Sequence, residues 1–146
     1  MKLLMAFMLL ALFTTNSCKK SDHCGSTPTS LAGTWKMVLV KDNTSGVETS
    51  KPSALNGDVI ISFSPVNSTQ GSMSGNSPSN QLGPNDYTLG PNQAISIPSL
   101  TMTKIAETSW GRQFVDNIRS ADAYSFGACS RLVIKTASKD LHFEKQ

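Results

Sequence analysis

Short apolar runs separated by polar turns recur along most of the chain, and this pattern restricts it to a β-rich fold. The first run, residues 31–40, spaces Trp35, Met37 and Leu39 two residues apart, so that one face of a strand is apolar. Pro65 ends the second run because it cannot donate to a strand ladder. The further strands that the pattern predicts are 58–63, 71–75, 86–89, 94–97, 124–126, 131–135 and 141–144.

Residues 67–85 are poor in apolar side chains and rich in Ser, Gly, Asn and Pro. We expect a turn-rich surface loop here, with one short strand at 71–75. A glycine-rich loop can also cradle a phosphate, but that motif needs a following Lys-Ser/Thr and a helix, which this segment lacks.

One segment has a helical period. Three large apolar residues recur in it at four-residue spacing: Trp110, Phe114 and Ile118. Thr108 or Ser109 is placed to cap the start of this helix, and Glu107 lies favourably near its positive end. Gly111 costs a helix about 1 kcal/mol relative to Ala, so packing of the apolar face must hold the helix in place.

These elements predict one α+β domain over residues 31–146. We expect a strongly bent antiparallel β-sheet or partly open β-barrel of about 7–8 strands, with one amphipathic α-helix packed across it. The predicted core consists of Trp35, Trp110, Phe114, Ile118, Leu132 and Phe143.

The first residues have the layout of a bacterial lipoprotein precursor: Lys2, an apolar run over 3–13, small polar residues and then Cys18. The run is shorter than the ~20 residues that a membrane-spanning helix needs. We therefore expect residues 1–17 to be a cleaved signal peptide and Cys18 to be the site of lipid attachment.

A second interpretation of the same residues is an ordinary signal peptidase site, because Thr15 and Ser17 are small enough for its pocket. Cys18 would then be a plain thiol. In the favoured interpretation, a diacyl or triacyl Cys18 anchors the protein stably, since anchoring takes more than one acyl chain. Residues 18–30 would be a flexible polar tether. We expect a cell-envelope protein attached to the outer membrane, on its periplasmic face or at the cell surface.

The charge balance is mild, with 13 basic and 10 acidic residues and a formal net charge of +3. No basic stripe alternates with aromatic residues, so nucleic acid is not an expected partner. The expected partners are the membrane, through the lipid, and an unidentified envelope protein or small ligand.

Two cysteines remain besides Cys18, namely Cys24 and Cys129. In an oxidising compartment they form a possible disulfide, which the chain-entropy model values at about 4.7 kcal/mol for a loop of ~100 residues. Two unrelated thiols are the alternative. No CxxC or HxxxH spacing is present, so no metal site is predicted, and no cofactor is expected.

We predict no catalytic activity. His23 lies in the tether, where it cannot be held as a general base. His142 alternates outward from Leu141 and Phe143, which is typical of an exposed strand residue. A Cys129–His142 dyad would also need a third group to orient the imidazole, and the sequence does not indicate one.

In the order of its elements the chain resembles the META/HslJ family of small envelope domains. The residues that carry the resemblance are the opening Leu31-Ala32-Gly33-Thr34-Trp35-Lys36-Met37, then Ser74-Gly75 with Asn80, then Asp86-Tyr87-Thr88, and finally Leu100 to Lys104, the helix, Leu132 and Leu141-x-Phe143. The resemblance implies a non-catalytic domain tied to the bacterial envelope and to stress tolerance, often lipidated.

One departure from that family concerns its cysteines. Members often have Gly-Cys-Asn after the Ser-Gly and a second cysteine before the helix, whereas this chain has Gly75-Asn76-Ser77 and no cysteine at either place. The family's shared disulfide is therefore absent, which favours a separate Cys24–Cys129 bridge.

The lipocalins, which bind small apolar ligands inside a barrel, are the alternative family. Their first strand also opens with Gly-x-Trp, here Gly33 and Trp35, and an arginine from a late strand lies over the tryptophan. Arg131 is the residue available for that place. The order of elements argues against this family, because lipocalins run eight strands before their helix, whereas here strands follow the helix.

Overall fold

A computed structural model describes residues 26–146 of the protein. The strands of this range are β1 (Gly33–Asp42), β2 (Glu48–Ser50), β3 (Ile60–Pro65), β4 (Gln70–Asn76), β5 (Gln81–Leu89), β6 (Ile95–Ser96), β7 (Ala121–Gly127), β8 (Arg131–Thr136) and β9 (Lys139–Lys145). The one α-helix of the described range, α1, spans Ser109–Val115, and short 3₁₀ turns cover Pro91–Gln93 and Ile118–Ser120.

The strands form one antiparallel sheet in the order β6-β5-β4-β3-β1-β9-β8-β7, and β2 pairs with the second half of β1. The sheet curls until its two end strands approach each other at a bridge between Ala94 and Ala123. The result is a nearly closed eight-stranded barrel with one unsealed seam between β6 and β7. The predicted fold class, a bent antiparallel sheet or partly open barrel with one packed helix, is confirmed.

A β-bulge changes the side-chain alternation within β1. The register with β9 shifts between Met37 and Leu39, so Val40 takes the inward place and is buried, whereas Leu39 is only half-buried. The prediction that Leu39 follows Trp35 and Met37 on the inner face was therefore wrong. One extra residue in a strand reverses the faces beyond it.

The short strand predicted at 71–75 is confirmed as β4, whereas the surface loop predicted around it was wrong for residues 81–85, which form the first part of β5. Gly71 and Met73 face inward in β4, while Ser72 and Ser74 face outward. Gly75 has φ of +151°, and a Cβ at this position would overlap the carbonyl oxygen of Ile60 on β3. The small residues of β4 allow close packing against β3. The same residue types are also common in loops.

The helix begins where the sequence predicts and is shorter. Thr108 caps α1 by accepting a hydrogen bond from the Gly111 N–H at 3.1 Å. Ile118, the last residue of the apolar stripe, lies in the following 3₁₀ turn. The helix lies against the β8–β9 turn, where the Lys139 ammonium donates to Gln113 Oε1 at 2.8 Å.

Large side chains fill the interior of the barrel. The strand and helix residues at its centre are all 2% exposed or less: Trp35, Met37, Ile61, Phe63, Met73, Tyr87, Phe114, Leu132 and Phe143. Trp110 and Ile118 are equally buried, so all six residues named for the core lie within it. The rings of Phe114 and Phe143 meet edge to face at 6.5 Å. Within residues 26–146, no helix has the length and apolarity to cross a membrane.

Candidate functional site

Several residues that the sequence singled out lie outside the described residues: Cys18, His23 and Cys24. Cys129 lies in the β7–β8 turn, where it has a positive φ of 63° and is disulfide-bonded. Beside it, the Ser130 hydroxyl donates to the Ser26 carbonyl at 3.4 Å. The described chain therefore begins against the turn that holds Cys129.

His142 lies on the outer face of the barrel, between Leu39 of β1 and Val133 of β8. It is half-buried rather than fully exposed, and its Nε2 atom is buried with no hydrogen-bond partner among the described residues. Burial lowers the pKa of His142, although the nearby Asp140 and Glu48 carboxylates oppose that shift. Because Cys129 is in a disulfide, it has no thiol to form the dyad that the sequence left open.

The cation over Trp35 is not the arginine that a lipocalin-like arrangement implies. Arg131 pairs instead with Glu144 on the outer surface, with 2.9 Å between Arg131 Nη2 and Glu144 Oε1. Lys145 lies over the Trp35 ring, with its Nζ 5.5 Å from the ring centroid. The Trp35 indole N–H donates to the Leu31 carbonyl at 2.7 Å, which ties the start of the domain to the barrel.

Asn80, one of the residues on which the resemblance to the META/HslJ family was based, holds a loop in place. Its side-chain amide donates to the Ile105 carbonyl and to Glu107 Oε2, both at 2.9 Å. Its Oδ1 accepts from the Ile105 N–H at 2.8 Å. The Ser77 hydroxyl donates a hydrogen bond to the same Glu107 carboxylate. We call Ser77, Asn80 and Glu107 the polar clasp, because they fasten the segment before α1 to the β4–β5 turn.

Glu107 also lies against the first turn of α1. Burial opposes its ionisation, but hydrogen bonds from Ser77, Asn80 and the Thr108 N–H outweigh that effect and hold the pKa of Glu107 below its usual 4.5. A Cβ at Gly111 would overlap the Glu107 carboxylate. The absence of a side chain at Gly111 therefore leaves room for the Glu107 carboxylate of the polar clasp.

A cleft of about 300 Å³ opens at the rim of the barrel, where the β3–β4 turn meets the ends of β4 and β5. We call it the rim cleft. The residues that line it are Val66, Gln70, Gly71, Ser72, Asp86, Tyr87 and Thr88. The side chains of Gln70, Ser72, Asp86 and Thr88 point outward, whereas Gly71 and Tyr87 lie on the inner face. Gly71 and Tyr87 are cross-strand partners, and a Cβ at Gly71 would overlap the Tyr87 hydroxyl. The missing side chain at Gly71 thus lets the tyrosine lie flat across β4.

The Tyr87 side chain lies on the inner face of the sheet, like its cross-strand partner Gly71. The residue is 1% exposed, and its hydroxyl has no hydrogen-bond partner in the described part of the chain. Burial, with a small contribution from Tyr124, raises the pKa of Tyr87, so the hydroxyl stays protonated. A buried hydroxyl without a partner costs roughly 1–3 kcal/mol.

A second, wider cleft of about 710 Å³ lies along the seam, near the Ala94–Ala123 bridge. At its edge, Asn92 and Gln93 have positive φ of 56° and 59°. One of its polar side chains is already bonded within the protein, since the Asn43 amide donates to the Thr136 carbonyl and to Asp140 Oδ1, both at 3.2 Å.

Sequence reasoning missed the rim cleft, although Asp86 and Tyr87 belong to a motif that it quoted. The signal is the cross-strand pairing of Gly71 with Tyr87, which requires the register of β4 and β5. Among residues 26–146, no group of three or more His, Cys, Asp or Glu side chains is arranged to hold a metal ion.

Comparison with known proteins gives the fold alone. A scan against protein families finds no match to this chain, and a search of curated proteins finds no significant relative. One solved structure that matches is the NMR structure of a protein from Burkholderia xenovorans. It has 18% sequence identity and a TM-score of 0.53, over 80% of this chain and 83% of that chain. At this identity the likeness extends to the barrel architecture and no further.

Proposed function

We propose that this protein is a lipid-anchored component of the bacterial envelope whose barrel domain is non-catalytic and binds another envelope component through its outer surface. The observation that carries the proposal is the filled interior of the barrel. Trp35, Phe63 and Tyr87 occupy one end, Phe114 and Phe143 pack towards the other, and each is 2% exposed or less. A ligand the size of a fatty acid would have to displace these side chains, whereas the clefts of the outer surface are open.

The anchor is tested by changing Cys18 to Ala in cells that express the full chain. We expect the variant to move from the membrane fraction to the soluble envelope fraction and to lose labelling by an alkyne fatty acid. Cys24→Ser is the matched control, since it removes a neighbouring cysteine and should leave both properties unchanged. Unaltered membrane partitioning of Cys18→Ala would contradict the anchor.

Binding through the surface is tested by substitutions that block a cleft while the core stays intact. Ser72→Trp fills the rim cleft from an outward position and should abolish contact with the envelope component that the domain binds in cells, measured by site-specific cross-linking from Thr88. Ser64→Trp, on the same outer face but outside the cleft, is the control. Equal cross-linking by both variants would contradict a role for this surface.

A lipocalin-like binder of a small apolar ligand is the second candidate, and one observation favours it. Tyr124 and Phe126 point inward from β7 yet stay half-buried, because the seam is open beside them. Phe126 stacks on Trp35, with ring centroids 6.3 Å apart. An apolar ligand entering at the seam would contact these rings first. Saturable 1:1 binding of a fluorescent fatty acid, lost on Phe126→Ala, would support this candidate over the first.

A further inference from the structure

The outer face of β2, β1, β9 and β8 carries three rows of side chains that run across the strands. Cross-strand partners point to the same face of a sheet, so the strand register assigns each residue to a row. The upper row consists of charged residues: Glu48, Lys41, Asp140 and Lys135. The middle row separates it from a second charged row: Ser50, Leu39, His142 and Val133. The lower row is Lys36, Glu144 and Arg131. We call these three rows the outer patch.

The middle row is mostly apolar and carries no charge at neutral pH. Leu39, His142 and Val133 are each half-buried. Burial holds the pKa of His142 below its ordinary value of 6.5, against the opposing effect of the Asp140 and Glu48 carboxylates, so the imidazole is neutral. The outer patch is therefore an uncharged strip between two charged rows.

The charges of the upper row alternate in sign from one strand to the next. From β2 to β8 they are Glu48, Lys41, Asp140 and Lys135. Within residues 26–146 none of these four side chains takes part in a salt bridge. The lower row differs, because its lysine pairs with Asp58 and its arginine with Glu144, both at 2.9 Å. The upper row therefore keeps four charges that another molecule can pair.

The order of these charges is complementary to itself. A two-fold axis parallel to the strands, between β1 and β9, places each strand opposite a different strand of a second copy. Lys41 then lies opposite the partner's Asp140, and Glu48 lies opposite the partner's Lys135. Each pair occurs twice by symmetry, so every charge of the upper row faces a charge of opposite sign.

The side chains of the outer patch also suit the contact of two convex surfaces. Two barrels that meet along this axis are closest at β1 and β9, where Leu39 lies opposite the partner's His142. The surfaces curve apart towards β2 and β8, where the long side chains of Glu48 and Lys135 are exposed and can reach across.

The outer patch is small for an interface. Four strands about 4.8 Å apart are about 19 Å wide, and residues 140–144 cover about 17 Å along a strand. The resulting area of about 300 Å² is well below the ~800 Å² per partner of a standard interface. A dimer formed through this face should therefore be weak.

We propose that the protein forms a two-fold symmetric dimer through the outer patch, in which the alternating charges of the upper row determine specificity. The occupant of this face is a second copy of the chain, because one face supplies both members of every charge pair. The proposal goes beyond the proposed function and requires neither the lipid anchor nor a further envelope component.

Photo-cross-linking in cells that express the full chain detects a weak dimer directly. Leu39, which lies beside the axis, is replaced by the photoreactive residue p-benzoylphenylalanine. Irradiation should give an adduct of twice the monomer mass, and peptide mapping of that adduct should place the second attachment within residues 140–144. The same photoreactive residue in place of Asp86, on the outer face of β5, is the control and should give no such adduct.

Charge reversal separates contact between two copies from contact within one chain. Lys135→Glu and Glu48→Lys each place like charges opposite each other in both symmetric contacts, so either variant alone should lose the adduct about tenfold or more. When the two variants are co-expressed with different tags, the mixed pair has opposite charges at both contacts, and the adduct between the tags should return. Repulsion within a chain is the same in the mixture and cannot be relieved in this way. Lys104→Glu and Asp86→Lys reverse exposed charges outside the patch and should leave the adduct unchanged.

Three results would overturn the dimer. These are the absence of an adduct of double mass from position 39, an adduct that both single variants keep at full yield, and a mixture of variants that gives no more adduct than either variant alone. An adduct with a protein of a different mass, and none of double mass, would assign this face to another partner and would equally contradict the proposal.

Discussion

Replacing Gly111 by Ala gives a sharp test of the structure, because helix propensity and the polar clasp predict opposite signs. Gly111 lies in the first turn of α1 and is not among the residues with positive φ, so its backbone conformation suits alanine. By propensity alone, Gly111→Ala should stabilise the helix by about 1 kcal/mol. In the structure, however, the new methyl group overlaps the Glu107 carboxylate.

The size of the destabilisation by Gly111→Ala follows from the hydrogen bonds that Glu107 would lose. To make room, its carboxylate leaves the Ser77 hydroxyl, the Asn80 amide and the Thr108 N–H. Hydrogen bonds to a charged group contribute about 1.5–3 kcal/mol each. Because Glu107 is half-buried, water would replace some of the lost hydrogen bonds and reduce the total cost. We estimate a loss of about 2–4 kcal/mol, which exceeds the propensity gain. The net effect of Gly111→Ala should be destabilisation by about 1–3 kcal/mol.

A double-mutant cycle with Glu107→Ala isolates this effect. Urea unfolding of four proteins, the wild type, both single variants and the double variant, gives the coupling free energy. In the Glu107→Ala background the methyl group meets no carboxylate, so Gly111→Ala should become stabilising by about 1 kcal/mol. Stabilisation by Gly111→Ala in the wild-type background, or equal effects in both backgrounds, would refute the clasp.

Three further predictions concern the core, the clasp and the cysteines. Phe114→Ala should cost about 3–5 kcal/mol in chemical denaturation, because the ring is fully buried against Phe143, and a loss below about 1 kcal/mol would make the helix peripheral. The lowered pKa of Glu107 means that its contribution to stability is present above its ordinary pKa of 4.5 and is lost as the pH falls through the lower folded-state value. Unfolding free energies of Glu107→Gln should therefore fall less steeply with acid than those of the wild type, and parallel curves would contradict this. Peptide mapping without reductant should recover Cys24 linked to Cys129, whereas a Cys18–Cys129 peptide would show a different partner and no lipid on Cys18.

The sequence predicted the elements whose side-chain period is undisturbed. Leu141 and Phe143 alternate inward in β9, and Trp110 and Phe114 share a buried helix face, as their spacing indicated. Leu39 did not follow the predicted alternation, because a bulge between Met37 and Leu39 moves its side chain off the inner face of the barrel. The bulge arises in the pairing of β1 with β9 and cannot be recognised from the sequence of β1 alone. Composition failed for the first part of β5, because residues 81–85 are of types common in loops yet form a strand that pairs with β4.

The candidate site was less accessible to sequence reasoning than the fold. Tyr87 and Gly71 are distant in sequence and meet only through the register of β4 and β5. Asn80 and Glu107 likewise belong to separate segments, and nothing in their spacing predicts their hydrogen bond. Contacts of this kind arise from the curling of the sheet, whereas local periodicity reports only which face of an element is apolar.

The central claim is that the barrel is filled and that the protein works through its surface. Two methionines inside the barrel, Met37 and Met73, are fully buried and carry methyl groups that report on the interior. The most direct test is the ¹³C-methyl-methionine spectrum of the purified protein during titration with palmitate. The account predicts that the Met37 and Met73 methyl signals stay in place up to saturating palmitate. Saturable shifts of both signals would show a ligand inside the barrel and contradict the claim.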